Sequence, residues 1–189
     1  MAAPIRQSEY ADLARAELVA TDVRLQALAG GLGPRALHWK PPSGGWSIGQ
    51  VLEHLVVSTD DYLGPMRRVI EQARAAPGAD PVWRPSLMGG FLARALRAPR
   101  KLPAPRSWVP PLTARAEVLE TFRARLRDTA ALLERARPLE WSRLRLPSPI
   151  TRVVRLNLGD CFSITIAHAH RHARQIERIR TSPGFPAGA

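Results

Sequence analysis

The sequence has one cysteine, two lysines, few aromatic residues and no long apolar run. Because Cys161 is the only cysteine, no disulfide forms within the chain, and a single thiol is typical of a reducing compartment. No stretch is apolar for long enough to cross a bilayer, and the first residues lack the apolar core of a signal peptide. We therefore expect a cytoplasmic protein that does not associate with membranes.

The scarcity of lysine means that nearly all of the positive charge is arginine. The formal net charge is +12, a value typical of nucleic-acid-binding proteins. The arginines are, however, spread along the whole chain, and few aromatic residues lie among them to stack on bases. These features argue against nucleic-acid binding. A solvated arginine-rich surface and attraction for an anionic small substrate both explain the charge.

The length of 189 residues suits one domain with a core of its own. Helical periodicity first appears between Ser8, a predicted N-cap, and about Leu28. A second helix is predicted after the N-cap Ser47, with a kink or an end near Pro65 and a continuation to about Ala75.

The second half of the chain alternates irregular and helical segments. Residues 76–111 contain eight of the 18 prolines, and we expect a connection that forms a lid or a pocket wall, with one short helix in SLMGGFLARALR. A third helix is predicted over residues 113–136, and residues 137–156 form a second connection with an extended piece at TRVVRL. The last helix follows the N-cap Asn157, with Asp160 completing a capping box, and reaches about Arg180.

Four long helices without a clearly alternating strand predict an all-α fold, a four-helix bundle with long irregular connections. We assign residues 1–180 to this single domain and residues 181–189 to a mobile tail.

Three of the five histidines are expected to face the interior of this bundle. His168 and His172 are four residues apart, so they lie on one side of the last helix, on its apolar stripe. His54 lies on the apolar stripe of the second helix, whereas His170 points to the opposite side and should be solvated. Buried imidazoles need partners. They either bond to one another and to water, or they bind a metal ion and leave one coordination position open.

Two motifs resemble those of the DinB superfamily, which includes DinB-like and YfiT-like metal-dependent hydrolases and thiol S-transferases. They are W-S-x-x-x-x-L-x-H-L and H-x-x-x-H-x-x-Q-I, here formed by Trp46, Ser47, Leu52, His54, Leu55 and by His168, His172, Gln175, Ile176. The resemblance implies an up-down-down-up bundle and a divalent metal site at His54, His168 and His172. It also implies zinc as the usual metal, nickel in some members, and a low-molecular-weight thiol as cosubstrate.

Two further residues are candidates for supporting roles. Gln175 lies one turn after His172 and either orients that ring or makes a helix-end hydrogen bond. Glu53 points about 100° away from His54, which excludes a direct ligand role. It is either an acceptor or general base near the metal, or an ordinary surface carboxylate. Cys161 is too far from His168 to share a metal with it and is expected in the core.

We interpret the chain as a metal-dependent small-molecule enzyme, a thiol S-transferase or a hydrolase. Water or a substrate thiol would react at the open position, with zinc as the expected metal and nickel or iron as alternatives. The substrate is expected to be a small molecule, anionic if arginines near the site bind it. The alternative is a non-catalytic helical domain that binds metal or acts through dimerisation. A homodimer is suggested by the family likeness alone.

Overall fold

The computed structural model describes residues 4–75, 80–99, 102–151 and 153–186. It is mostly helical, which confirms the all-α prediction. The helices of the described residues are α1 (Gln7–Ala29), α2 (Pro34–His38), α3 (Ile48–Gln72), α4 (Leu87–Arg97), α5 (Val118–Ala136) and α6 (Leu158–Arg180), with a single 3-10 turn at Arg106–Trp108. The strands are β1 (Ile5–Arg6), β2 (Val82–Trp83), β3 (Arg145–Pro147) and β4 (Arg155–Asn157).

The four long helices enclose the core as a ring of neighbours. Helix α1 packs on α5, α5 on α3, α3 on α6, and α6 back on α1, while α4 lies against the outside of α6. The largest fully buried side chains are Trp141, Phe122, Phe162, Leu25, Ile48, Leu52, Leu55 and Met66. The up-down-down-up order of the helices and the domain extent of residues 1–180 stay predictions.

Capping boxes set where the two histidine-bearing helices begin. Ser47 caps α3: its hydroxyl accepts from the Gln50 N–H at 3.2 Å, and the Gln50 side chain accepts from the Ser47 N–H at 3.3 Å. Asn157 and Asp160 form the equivalent pair at the start of α6, at 2.8 and 3.0 Å. Both predicted N-caps are confirmed. Since each helix begins at a defined residue, the direction of every side chain along it is also defined.

The N-cap predicted for the first helix is wrong. Helix α1 begins at Gln7, so Ser8 lies inside its first turn. The N–H and hydroxyl of Ser8 both donate to the carboxylate of Asp80, at 3.0 and 2.8 Å. A residue 72 positions away thus replaces the local cap, close to the point where β1 pairs with β2. No local pattern around Ser8 reveals this partner.

Two other helix boundaries can be compared with their predictions. Helix α3 does not end at Pro65 but continues through it to Gln72, close to the predicted limit of about Ala75, because Tyr62, Met66 and Ile70 are buried on one stripe and hold the helix against the core. Helix α5 begins at Val118, five residues later than predicted, after a turn in which the Arg115 N–H is bound to a side chain of α3.

The irregular connections contain more structure than the sequence indicates. Helix α2 lies between the first two predicted helices, and the extended piece expected in TRVVRL is centred later, where β4 pairs antiparallel with β3. Residue 152 of that stretch lies outside the described residues. In the C-terminal segment, Phe185 packs edge-on against Trp39 at 5.4 Å. The mobility of the tail stays a prediction, and residues 187–189 lie outside the described part. None of the described helices has the length and apolar character needed to span a membrane.

Asp160 joins α4 to α6 through one buried carboxylate. One oxygen accepts from the Ser86 N–H at 3.0 Å, and the other accepts from the Asn157 N–H at 3.0 Å. Asp160 is fully buried, and Gly89 in the first turn of α4 lies directly against its carboxylate. A Cβ atom at position 89 would overlap that carboxylate. The close approach of α4 to α6 therefore requires glycine at this position.

We expect Gly89→Ala to lower the free energy of unfolding by about 1–3 kcal/mol, because the added methyl group overpacks the contact with Asp160. Chemical denaturation of both proteins measures the difference. The matched control is Gly90→Ala, where the nearest atom is the Pro85 Cβ at 3.4 Å. That variant should be neutral or stabilised by up to about 1 kcal/mol. Equal stability of the two variants would contradict the described contact between α4 and α6.

Candidate metal centre

Three imidazoles meet between α3 and α6. The Nε2 atom of His168 lies 3.1 Å from the Nε2 of His54 and 3.0 Å from the Nε2 of His172. All three residues offer a ligand atom within 4.8 Å of the others. His54 and His172 are only 2% and 7% exposed, and His168 is partly buried. The prediction that these three histidines face one interior point is confirmed.

The outer nitrogens of His54 and His172 are hydrogen-bonded to acceptors. The Nδ1–H of His54 donates to the backbone carbonyl of Trp108 at 2.8 Å. The Nδ1–H of His172 donates to the Oε1 of Gln175 at 2.8 Å, so the predicted orienting contact of Gln175 is present. A carbonyl oxygen only accepts, so these bonds assign the proton of each neutral ring to Nδ1. The Nε2 lone pairs then point toward the centre of the cluster.

His168 follows the same pattern with a weaker partner. Its Nδ1 lies 3.4 Å from the hydroxyl oxygen of Ser58, and that hydroxyl donates to the carbonyl of Leu55 at 3.2 Å. With its proton directed to Leu55, the Ser58 oxygen is left as an acceptor for the Nδ1–H of His168. This assignment places a third lone pair, on the His168 Nε2, at the same centre.

Three lone pairs at this separation fit a metal ion better than they fit one another. With the protons on Nδ1, no hydrogen atom lies between the Nε2 atoms, so their contacts at 3.0 and 3.1 Å are not hydrogen bonds. A metal–nitrogen bond of about 2.0–2.1 Å puts two ligands about 3.4 Å apart at a tetrahedral ion and about 2.9 Å apart at adjacent octahedral positions. The observed separations lie between these values. The donor set therefore matches a borderline divalent cation.

Burial keeps the three rings neutral. It lowers the pKa of His54, and it lowers the pKa of His168 well below its ordinary value with added repulsion from the neighbouring histidines. The pKa of His172 falls to about 3, first through burial and then through repulsion by His54. Metal binding requires the deprotonated ring, so the cluster is ready to bind at neutral pH.

Two tryptophans enclose the cluster. The ring of Trp46 lies 4.9 Å from that of His54 and stacks on His172 at 6.5 Å. The ring of Trp108 lies 6.1 Å from His168, and its N–H donates to the carboxylate of Asp61 at 2.6 Å. These aromatic surfaces cover the imidazoles on two sides and limit the access of water.

A cavity of about 840 Å³ opens beside the histidines. Its walls come from α3 and α6, from the loop containing Trp46, and from the proline-rich connection, which contributes Phe91, Leu92, Leu96 and Leu102. The connection therefore forms a pocket wall, one of the two roles expected for it. A small molecule of ordinary size fits such a volume.

The surface interpretation of Glu53 is wrong. Glu53 is 3% exposed and accepts three hydrogen bonds from Arg115, one from its backbone N–H at 2.8 Å and two from its guanidinium at 2.9 and 2.7 Å. Burial alone would raise the pKa of Glu53, but the bonds from Arg115 outweigh it and hold the pKa below its ordinary value. This carboxylate therefore fastens the segment before α5 to α3.

The burial of Cys161 agrees with its prediction, whereas that of His170 does not. Cys161 is 2% exposed and belongs to the core, as expected. His170 is partly buried rather than solvated, and its Nε2 is shielded from solvent without a hydrogen-bond partner among the described residues. It is outside the cluster of three ligands.

Sequence reasoning missed Ser58 and Trp108. Ser58 lies four residues after His54 on the same stripe, so helical spacing contains a signal for it. The carbonyl of Trp108 is a backbone group in an irregular segment 54 residues from His54, and no periodic pattern identifies it.

Glu53→Gln should lower the free energy of unfolding by about 1–3 kcal/mol, because a charge-assisted network in a buried position is weakened. Uptake of added zinc should stay unchanged, because the hydrogen bonds that the Glu53 carboxylate accepts come from Arg115. Denaturation and elemental analysis measure the two effects. The control is Glu140→Gln, which removes an exposed pair with Arg143 and should change stability by less than about 0.5 kcal/mol. Loss of metal without loss of stability would instead assign Glu53 to the metal centre.

Comparison with known proteins agrees with this geometry. A family model described as the DinB superfamily matches residues 17–176, which include all three histidines. No curated protein and no solved structure matches the chain. The resemblance of the two histidine motifs is thereby confirmed, and the chain belongs to the DinB superfamily.

Proposed function

We propose that the protein is a divalent-metal-dependent enzyme acting on a small molecule, and that it transfers a low-molecular-weight thiol. Hydrolysis is the alternative reaction at the same site. The observation that carries the proposal is the convergence of three Nε2 atoms. The Nε2 of His168 lies 3.1 Å from that of His54 and 3.0 Å from that of His172, while the Nδ1–H groups of His54 and His172 donate to acceptors outside the cluster.

His54, His168 and His172 would hold the metal. Imidazole nitrogens suit zinc, nickel and iron, and we propose zinc as the bound ion. When bound, the ion supplies a Lewis acid that lowers the pKa of a coordinating thiol or water. Structural zinc sites have four protein ligands, whereas the cluster found among the described residues has three and borders a cavity. This supports an open position that a substrate can occupy.

The surrounding residues supply orientation and a dry environment. Gln175 and the Trp108 carbonyl hold two rings in the tautomer that binds metal. Trp46 and the Trp108 ring restrict water. No carboxylate occurs among the described residues that line the cavity, so a general base for hydrolysis is missing from this wall. A thiol depends less on a general base for its deprotonation, because its ordinary pKa is already near 8.5. This difference favours thiol transfer.

The partners we propose follow from the same cavity. They are a thiol cosubstrate and a second small molecule, in a cytoplasmic setting, without nucleic acid. We also propose a homodimer. Exposed apolar side chains on α1, at Leu13, Val19 and Val23, support it as a surface that a second copy can cover.

We expect protein purified without an affinity tag or added metal to contain about one zinc, nickel or iron ion per chain. His54→Ala, His168→Ala and His172→Ala should each lose it, because two imidazoles bind a divalent ion far more weakly than three. Elemental analysis of the purified proteins measures the stoichiometry.

The matched control is His170→Ala, which removes an imidazole of the same helix from outside the cluster and should keep its metal. A wild-type protein that is metal-free and also fails to take up added zinc or nickel would refute the metalloenzyme proposal. The histidines would then act as core hydrogen-bonding groups, and a non-catalytic role would take its place.

Gln175→Ala should weaken zinc affinity about 10–100-fold while keeping one ion per chain at saturation, because the Nδ1–H of His172 loses its acceptor. Competition with a chromophoric chelator measures the affinity. Gln175→Glu, which retains an acceptor oxygen, should restore most of it. Unchanged affinity in Gln175→Ala would assign Gln175 to the helix end instead of the metal centre.

A further inference from the structure

The cavity is elongated, and its two ends differ in chemistry. Its lining residues on α6 and just beyond it run from Ile164 to Ser182, a distance of about 27 Å at the helical rise. His168 and His172 lie between these limits, so the metal centre divides the cavity into two arms. A molecule bound at the histidines therefore meets a different surface on each side.

One arm is apolar. Phe91 and Leu92 of α4 line it together with Ile164 of α6 and Ile150 of the connection before β4. Phe91 is 55% exposed and Ile150 is 47% exposed, so the arm presents apolar surface to the solvent. An apolar group of a ligand would cover this surface on binding.

Two arginines of α6 line the cavity, Arg171 at the level of the histidines and Arg178 in the other arm, and they differ in their contacts. Arg171 donates to the backbone carbonyls of Leu96 and Ala98, so it holds the end of α4. Arg178 lies two turns further along α6, lines the cavity and is exposed. Its guanidinium has no hydrogen bond or ion pair among the described residues.

One loop of the cavity wall leaves open space inside the cavity. Ser43, Gly44 and Gly45 line the same cavity with hardly any side-chain volume, and Gly44 and Gly45 adopt positive φ angles of 82° and 111°. A Cβ at either glycine would meet no atom within 4 Å, so the space beside the loop is open. Since no carboxylate is found among the described lining residues, nothing there neutralises Arg178. The guanidinium fork is suited to a carboxylate.

We propose that Arg178 anchors the carboxylate of the thiol substrate, about 9 Å along α6 from His172. The apolar arm, on the other side of the histidines, then holds an apolar group of the acceptor. The roles of thiol and acceptor rest on the proposed function, because they assume that the reaction is thiol transfer. The subsite itself is formed by residues outside the metal cluster.

Metal-free protein tests the subsite alone. We expect octanoate to bind about tenfold more tightly than octanamide, its uncharged counterpart of equal length, as measured by quenching of tryptophan fluorescence at low ionic strength. In Arg178→Gln the affinity for octanoate should fall to that for octanamide, whose own affinity stays unchanged. Arg178→Lys, which keeps the charge without the fork, should retain a reduced preference.

The matched control is Arg67→Gln, which removes one exposed arginine of α3 that does not line the cavity and should preserve the preference. Equal binding of the two probes by the wild type, or a preference that survives Arg178→Gln, would overturn the subsite. Loss of the preference in Arg67→Gln as well would overturn it too, since net charge would then explain the effect.

Cobalt-loaded protein links the subsite to the metal. The thiolate absorption band of bound 6-mercaptohexanoate should appear at about tenfold lower concentration than that of 6-mercaptohexanol, and Arg178→Gln should abolish the difference. Failure to load any metal, with the octanoate preference intact, would refute the proposed function and leave the subsite standing. Normal metal loading without discrimination between the two thiols would refute the subsite and leave the metal centre standing.

Discussion

Three imidazole lone pairs face one another inside a helical core, and the rest of the site depends on this constraint. His54, His168 and His172 point their Nε2 atoms at one another because their Nδ1 protons are engaged elsewhere. Such an arrangement is unfavourable among neutral rings alone, and it becomes favourable around a cation. Packing, capping and hydrogen bonding in this region therefore serve to keep the nitrogens together.

The helices hold this arrangement through their first turns. The capping boxes at Ser47 and Asn157 determine where α3 and α6 begin, and so determine which side chains face inward two or three turns later. Asp160 has a second role, because it also accepts from the Ser86 N–H next to α4. One residue of a capping box thus positions both the histidine-bearing helix and the helix that lines the cavity.

Local patterns in the sequence predict most of this centre, and long-range contacts account for what they miss. The spacing of His168 and His172, the two capping boxes and the inward stripe of α3 are all properties of neighbouring residues. The cap that Asp80 provides for Ser8 and the bond between Glu53 and Arg115 join distant segments, so neither was predicted. The same holds for the Trp108 carbonyl, which depends on how a proline-rich connection folds back.

The histidine cluster and the apolar part of the cavity wall come from different segments, and this has an evolutionary consequence. The three histidines lie on α3 and α6, whereas much of the apolar wall comes from α4 and the connection after it. The two parts pack directly where α4 lies on α6, and they are also joined by the buried carboxylate of Asp160 and by backbone carbonyls, including that of Trp108. Substitutions at exposed wall positions such as Phe91 can therefore accumulate without disturbing the ligands. A lineage built on this architecture can change the shape of its cavity wall while the histidine cluster is inherited intact.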